Sequence, residues 1–318
     1  MKTKKRIYRN NRKHKNMSSI NNNRNSNNSN SSNNSNNRNS NNSNSSNNFK
    51  KNTKGQFVYK YYNSNDDSTF NKDANKKRCM CINYQTINDF KTYDRCTNMT
   101  VNNTDFCELH QECQSYLRKF LSGSEIEYQP QVWSDPYIES SHNCYSYFLN
   151  RQVKAVKEKC NEICVKKHKK SCPLKDSECS DLKPQPGDFN LIKNTGSDKG
   201  KERIYQCPNM QQKIFNDNPS LIPAAFNQKC PKNYYKGAMV VDPENTYHFY
   251  RMNKDGTWGH KPGISKVSNV DASGKNIYVP HFADRDYSNE DDEDSINYTN
   301  FCSYYCIPKN EIIHKNLA

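Results

Sequence analysis

Apolar residues recur along this chain with two different periods, and one long stretch carries neither. The clearest strand signal is Thr246-Tyr247-His248-Phe249-Tyr250-Arg251-Met252, rich in aromatic residues and bounded by turn residues. The apolar residues 238–241 precede it. Lys254-Asp255-Gly256 is a turn and Thr257-Trp258-Gly259-His260-Lys261 returns, so a hairpin is predicted. Residues 298–307 alternate aromatic and polar positions and predict a last strand, with Cys302 and Cys306 filling the core from one face. Residues 151–170 contain helix formers and no Gly or Pro, and residues 111–121 read as a shorter helix. In Ser141-His142-Asn143-Cys144-Tyr145-Ser146-Tyr147-Phe148-Leu149 a polar residue leads directly into an aromatic run, which predicts a helix N-terminus with Cys144 in its first turn. Pro184-Gln185-Pro186-Gly187-Asp188 is a rigid turn ahead of an apolar strand at 189–192. Residues 20–48 are almost entirely Asn and Ser with two Arg, a composition that cannot offset its ordering entropy and is expected to be disordered.

The hairpin register decides what the histidines can do. With a three-residue loop at Lys254-Asp255-Gly256, Asn253 pairs with Thr257 and Tyr250 with His260, and His248 shares a face with His260 as a diagonal neighbour. A two-residue loop at Asp255-Gly256 would instead put the two imidazoles on opposite faces.

Charge changes the picture at one end only. The net charge is +15, and residues 1–78 hold 18 Lys and Arg against 3 Asp and Glu, so all of the excess lies in an arm. Such an arm, assigned to residues 1–77, can adhere to nucleic acid or an acidic surface through counterion release, or can simply solubilise the chain. The acidic run Glu290-Asp291-Asp292-Glu293-Asp294 reads as a solvated loop and a possible contact of the arm. No apolar core of signal-peptide length follows Met1, and no 18-residue apolar run occurs, so neither a secretion signal nor a membrane span is expected. Fourteen cysteines in such a chain argue for metal ligands or a nucleophile before disulfides, with bridges installed by a dedicated oxidase as the other route.

Two cysteine clusters stand out. In the first, Cys107-Glu108-Leu109-His110 is a Cys-x-x-His pair; Cys96 and either Cys79 or Cys81 would complete a tetrahedral Cys3His zinc site, the staple that so small a segment needs. In the second, Cys160, Cys164, His168 and Cys172 fall at intervals of four, with Cys179 beyond Pro173. They are core-facing small residues, a disulfide-stapled hairpin or a second zinc site. The order Arg78-Cys79, Arg95-Cys96 and Phe106-Cys107-Glu108-Leu109-His110 resembles a small zinc-binding module of large DNA virus proteins, which implies a structural zinc and, if the chain is viral, a place in the host cytoplasm or the virion.

The candidate nucleophile is Cys144, activated by unpaired N–H groups and the positive end of the helix dipole. His248 is the general base and His260 its orienting polar partner, with backbone N–H groups at the helix start to meet an oxyanion. A helix-starting cysteine, a later Pro186-Gly187-Asp188 turn, the strand residue His248 and the polar His260 a dozen positions on resemble the NlpC/P60-type cysteine peptidases, relatives of papain. The chain departs from that pattern at Asn143 and at Tyr145-Ser146, where the family has Asp and Ser-Gly. The resemblance covers residues 130–310. It implies an α+β fold in which a helix carrying Cys144 packs on an antiparallel sheet carrying His248, and an activity against a peptide or amide substrate. Residues 78–122 form the zinc module before that domain. The expected function is a cysteine hydrolase; the other readings are a non-catalytic zinc-containing binding protein and a disulfide-rich structural protein of a viral particle.

Overall fold

A computed structural model describes residues 78–82, 95–102, 104–168, 179–189, 205–288 and 296–309, with the backbone of three short strands before them. The chain divides into two units, residues 1–45 and 46–318, and every described residue belongs to the second. Residues 20–48, the apolar run from Asn190, Cys172 and the acidic run 290–294 lie outside the described residues.

The fold is α+β with an antiparallel sheet. Strands β1 (Phe49–Lys51) and β2 (Phe57–Tyr59) pair with each other, and β3 (Tyr62–Asn63) joins the main sheet. These three strands fall within the arm assigned to residues 1–77. The main sheet runs β3-β8-β5-β6-β7, where β5 is Tyr234–Asp242, β6 is Thr246–Met252, β7 is Trp258–Gly259 and β8 is Asn300–Pro308. Strand β4 (Ile222–Ala224) also pairs with β8.

The helices are α1 (Cys113–Leu117), α2 (Pro136–Ser141), α3 (Cys144–Phe148), α4 (Lys154–His168) and α5 (Cys207–Asp217). Helix α2 starts where expected of an Asp-Pro pair: Asp135 caps it, accepting from the N–H groups of Tyr137 and Ile138, with Pro136 in its first turn. Helix α3 is five residues long because Asn150 ends it in the left-handed conformation, φ 49°. The Asn150 N–H donates to Tyr147 O (3.0 Å) and the Arg151 N–H to Ser146 O (2.8 Å), the paired bonds of a Schellman motif.

Each face of the sheet has its own core. Helices α3 and α5 cover Met239, Val241, Phe249 and Tyr305, with Phe148 and Phe249 ring centroids 4.7 Å apart. That approach needs Gly237, where an added Cβ would lie 2.3 Å from Phe148. On the other face Val240, Tyr250 and Tyr304 pack with Cys79, Met80 and Ile82, so the cysteine-rich segment 78–122 shares a core with the sheet rather than forming its own.

Disulfides, expected to come second to metal and nucleophile, take most of the cysteines. Cys160 bonds to Cys179, Cys207 to Cys302, Cys230 to Cys306 and Cys81 to Cys113, and Cys164 is also disulfide-bonded. Of the three readings of the second cluster, the disulfide one holds for Cys160, Cys164 and Cys179. Cys302 and Cys306 do more than fill the core, and they do not share a face: Cys302 lies in the core under α5 and Cys306 in the opposite one. The reason is a β-bulge, since Met239 pairs with Ser303 and Val240 with Phe301, which inserts Cys302 as an extra residue and flips the alternation.

Candidate functional sites

The hairpin takes the three-residue loop. Arg251 pairs with Gly259 and Met252 with Trp258, the Asn253 N–H donates to Thr257 O (2.8 Å), and Gly256 adopts φ +90°. That register puts the two imidazoles side by side, with His248 Nε2 and His260 Nδ1 2.7 Å apart. His260 Nε2 lies 2.9 Å from Val270 O, which can only accept, so the proton of His260 is on Nε2. Its Nδ1 then accepts from His248 Nε2–H, which leaves Nδ1 as the basic nitrogen of His248. Burial holds His260 down at about 4 and His248 well below the usual imidazole range, with the neighbouring His260 charge adding to the effect on His248. Both rings are therefore neutral at pH 7, and Tyr298 stacks on His248 with 5.2 Å between centroids.

Cys144 stands at the start of α3, as the polar-to-aromatic transition predicts. Asn143 is the N-cap: its Oδ1 accepts from the Ser146 N–H (3.2 Å), and its Nδ2 donates to Pro184 O (2.9 Å), tying the helix tip to the Pro-rich turn. The turn is held a second time. Asp217 Oδ2 accepts from the Gly187 N–H (2.7 Å) and from the Tyr145 hydroxyl (2.7 Å), so Pro186-Gly187-Asp188 is moored to the residue after Cys144. His142, two residues before the cysteine, is committed elsewhere. Its Nε2 accepts from the Val153 N–H (2.8 Å), its Nδ1 donates to Ser141 Oγ (2.9 Å), and burial lowers it to about 4.

The thiol of Cys144 is only 4% exposed, and burial pushes it up to about 12. Backbone N–H groups of Phe249, Tyr145 and Cys144 itself, and the Lys261 ammonium, act in the opposite direction. With α3 so short its macrodipole is small, and burial outweighs these N–H groups, so the thiolate-favouring helix start expected from the sequence is not what the fold provides. The contact with Phe249 places the sulfur beside β6, one residue along from His248. By strand alternation Tyr247 and Phe249 face the core that holds Cys144, while His248 faces the other side with Tyr250. Among the described residues His248 hydrogen-bonds to His260 and not to the sulfur. Tyr298 stacks on His248, and its hydroxyl is raised by burial and, less, by the Cys144 charge.

A second site lies in the cysteine-rich segment. Cys79, Cys96, Cys107 and His110 are all buried, with ligand atoms within 4.8 Å of one another, a Cys3His cluster that can hold a metal ion. Cys79 rather than Cys81 is the first member, because Cys81 is spent on Cys113. His110 turns Nδ1 inward, 3.3 Å from Cys107 Sγ and 3.6 Å from Cys79 Sγ, and the sulfurs of Cys96 and Cys107 lie 3.8 Å apart. The two arginines of the Arg-Cys pairs brace the loops: Arg78 Nε donates to Cys96 O (2.8 Å) and Arg95 Nε to Cys79 O (3.0 Å). N–H groups of Cys107 and Asn98 donate to Cys79 Sγ (3.3 Å) and Cys96 Sγ (3.4 Å), a second shell suited to thiolates.

Known proteins offer little company. No protein-family model matches the chain, and no solved structure does. A stretch of 48 residues is 48% identical to "Insoluble matrix shell protein 1" of Ruditapes philippinarum, covering 15% of this chain and 32% of that protein. The chain thus spans about a third of the length of that relative.

Sequence reasoning missed Lys261, Tyr298 and Asp217. Lys261 follows His260 in a returning strand, where a lysine reads as solvent-facing, and nothing local marks it as buried. Asp217 closes a helix some seventy positions from Tyr145, a pairing that only the fold creates.

Proposed function

We propose that this protein is a cysteine hydrolase of papain-like, NlpC/P60-like architecture that acts on a peptide or amide bond, with Cys144 as nucleophile, His248 as general base and His260 as orienting partner. One observation carries the reading: the relay from His248 Nε2–H to His260 Nδ1, and from His260 Nε2–H to Val270 O, on the strand beside the cysteine. A general base needs its tautomer and ring plane fixed, and this relay fixes both. In the reaction His248 Nδ1 takes the thiol proton as Sγ attacks the carbonyl carbon. The N–H groups converging on the sulfur stabilise the oxyanion. The amine leaves with the proton from His248, and water then releases the acyl group. Because His248 faces the opposite side of β6 from the core that holds Cys144, turnover requires β6 and the start of α3 to shift so that Nδ1 reaches the sulfur, more than a side-chain rotation; burial otherwise holds the thiol neutral. That same burial favours a second reading, a binding protein that keeps the architecture without the chemistry.

The Cys3His cluster we assign to structural zinc. A tetrahedral site with Zn–S near 2.3 Å has S–S edges of about 3.8 Å and S–N edges of about 3.5 Å. The 3.8, 3.6 and 3.3 Å separations here are close to those edges. Four protein ligands close the coordination sphere, so the zinc holds the fold and takes no substrate.

The test is labelling with a peptide-based thiol electrophile. Wild type should label, Cys144→Ala should not, and His248→Ala should slow labelling by roughly 10²–10⁴-fold. Equal labelling of Cys144→Ala would remove the hydrolase reading and leave the binding protein.

A further inference from the structure

Arg285 is only 4% exposed, and among the described residues its Nε and Nη1 have no acceptor. The hydroxyls of Tyr250 and Tyr287 are buried and without a partner as well. The backbone brings these groups together. The Tyr298 N–H donates to Arg285 O (3.1 Å), Asp286 pairs with Asn297, and the Tyr287 N–H donates to Ile296 O (2.9 Å), which makes an antiparallel ribbon. Arg285 stands opposite Tyr298 and two residues from Tyr287, so the three share one face of that ribbon. The face rests on β6. Tyr298 stacks on His248, the ring centroids of Tyr287 and Tyr298 are 6.1 Å apart, and Tyr250 stands on the His248 side of β6 with 5.1 Å between centroids. Tyr250 and Tyr287 are among the groups whose charge acts on Arg285. The carboxylates of this region are turned to backbone N–H groups. Asp271 accepts from Ser273, Lys275 and Asp284 (3.0 Å each) and Asp284 from Asp286 (3.1 Å), and neither accepts from Arg285 Nε or Nη1.

We propose that Arg285, Tyr250 and Tyr287 form a binding site for a small monovalent anion of halide type. A guanidinium taken out of water is costly unless a counter-charge answers it, and its N–H groups are donors only. Two phenol O–H groups beside it can donate to the same point. A positive charge among donors selects an anion; a water molecule would satisfy the hydroxyls and leave the charge unanswered. Size narrows the choice further. Arg285 and Tyr250 are sealed beneath the ribbon, so a monatomic ion suits the place and the carboxylate of a peptide does not. Bound there, the ion ties the ribbon to β6 in the aromatic layer that holds His248. Nothing in this rests on the hydrolase reading.

The experiment melts the full chain in sodium chloride, bromide or gluconate, mixed so that ionic strength stays constant. An anion that binds only the folded chain raises the melting temperature along a saturating curve, by about 4–8 °C at thirty times its Kd. Chloride and bromide should do this, and gluconate, too large to enter, should not. Tyr250→Phe and Tyr287→Phe keep the rings and remove the donors, and each should raise the apparent halide Kd by about 10-fold or more. Arg285→Met should abolish the response; should it fail to fold, the two phenylalanine variants decide. Equal melting in chloride and gluconate overturns the proposal. So does a halide response that is unchanged in the Tyr250→Phe/Tyr287→Phe double variant, because it would then be a salt effect on the surface. Crystals grown in bromide locate the ion directly: an anomalous peak within hydrogen-bond reach of Arg285 and both hydroxyls is the expected result, and bromide found only elsewhere on the chain removes the site.

Discussion

His248 and His260 face each other because a single glycine, Gly256, accepts the left-handed conformation that a three-residue loop demands. Their neutrality has a consequence for stability. The folded values of His142 and His260 are both about 4, and that of His248 is also depressed, against an ordinary 6.5. Between those values the unfolded chain binds protons that the folded chain does not. Stability is therefore complete above the unfolded value and falls as pH drops from 6.5 toward 4, by up to about 1.4 kcal/mol per pH unit for each histidine. Urea unfolding at pH 7 and pH 5 measures this, and a midpoint that does not move would show that these rings are not buried neutral. His260→Ala should relieve part of the loss while slowing Cys144 labelling by about 10-fold or more, since the base keeps its place and loses its fixed tautomer. Asn143→Ala removes the cap and the bond to Pro184, and should cost about 1–2 kcal/mol in denaturant unfolding.

At the scale of elements, the hairpin and the helix start followed from periodicity and turn chemistry, while the last strand did not behave as its pattern indicates. Strict alternation puts Cys302 and Cys306 together; one extra residue opposite Met239 and Val240 parts them, and bulges leave no reliable mark in a sequence. The result is useful to the fold, because Cys302 now reaches Cys207 on α5 while Cys306 reaches Cys230 on the other side. Both bridges close long loops, with sequence separations of 95 and 76, and replacing either pair by serine should cost about 2–5 kcal/mol under oxidising conditions. Helix α3 rests on β5 only because position 237 is glycine. Gly237→Ala should destabilise by about 1–3 kcal/mol as Phe148 and Ile307 are forced aside, measured by thermal melting.

At the largest scale, the cysteine-rich segment and the sheet share one core. Metal removal should therefore reach beyond residues 78–110. Asp105 accepts from Asn276 Nδ2 (3.1 Å) and the Tyr278 hydroxyl (3.2 Å), and Asn276 bridges Val270, whose carbonyl holds His260. We expect one zinc per chain by elemental analysis. Chelation should lower the melting temperature of the whole unit in a single transition and slow Cys144 labelling. Two separate transitions would show that the metal segment folds independently of the sheet.

The sequence by itself determined the α+β class, the hairpin up to the choice between a two-residue and a three-residue loop, the helix start at Cys144 and the Cys3His set up to the choice of Cys79 or Cys81. These rest on local rules of turn residues, caps and alternation, or on short ligand spacings. Tertiary structure decided which cysteines pair, which face Cys302 takes, that Lys261 is buried, and that the metal segment and the sheet share a core. Each of those depends on chain segments meeting across dozens of residues, and the free energy of such meetings belongs to packing, which no local pattern contains.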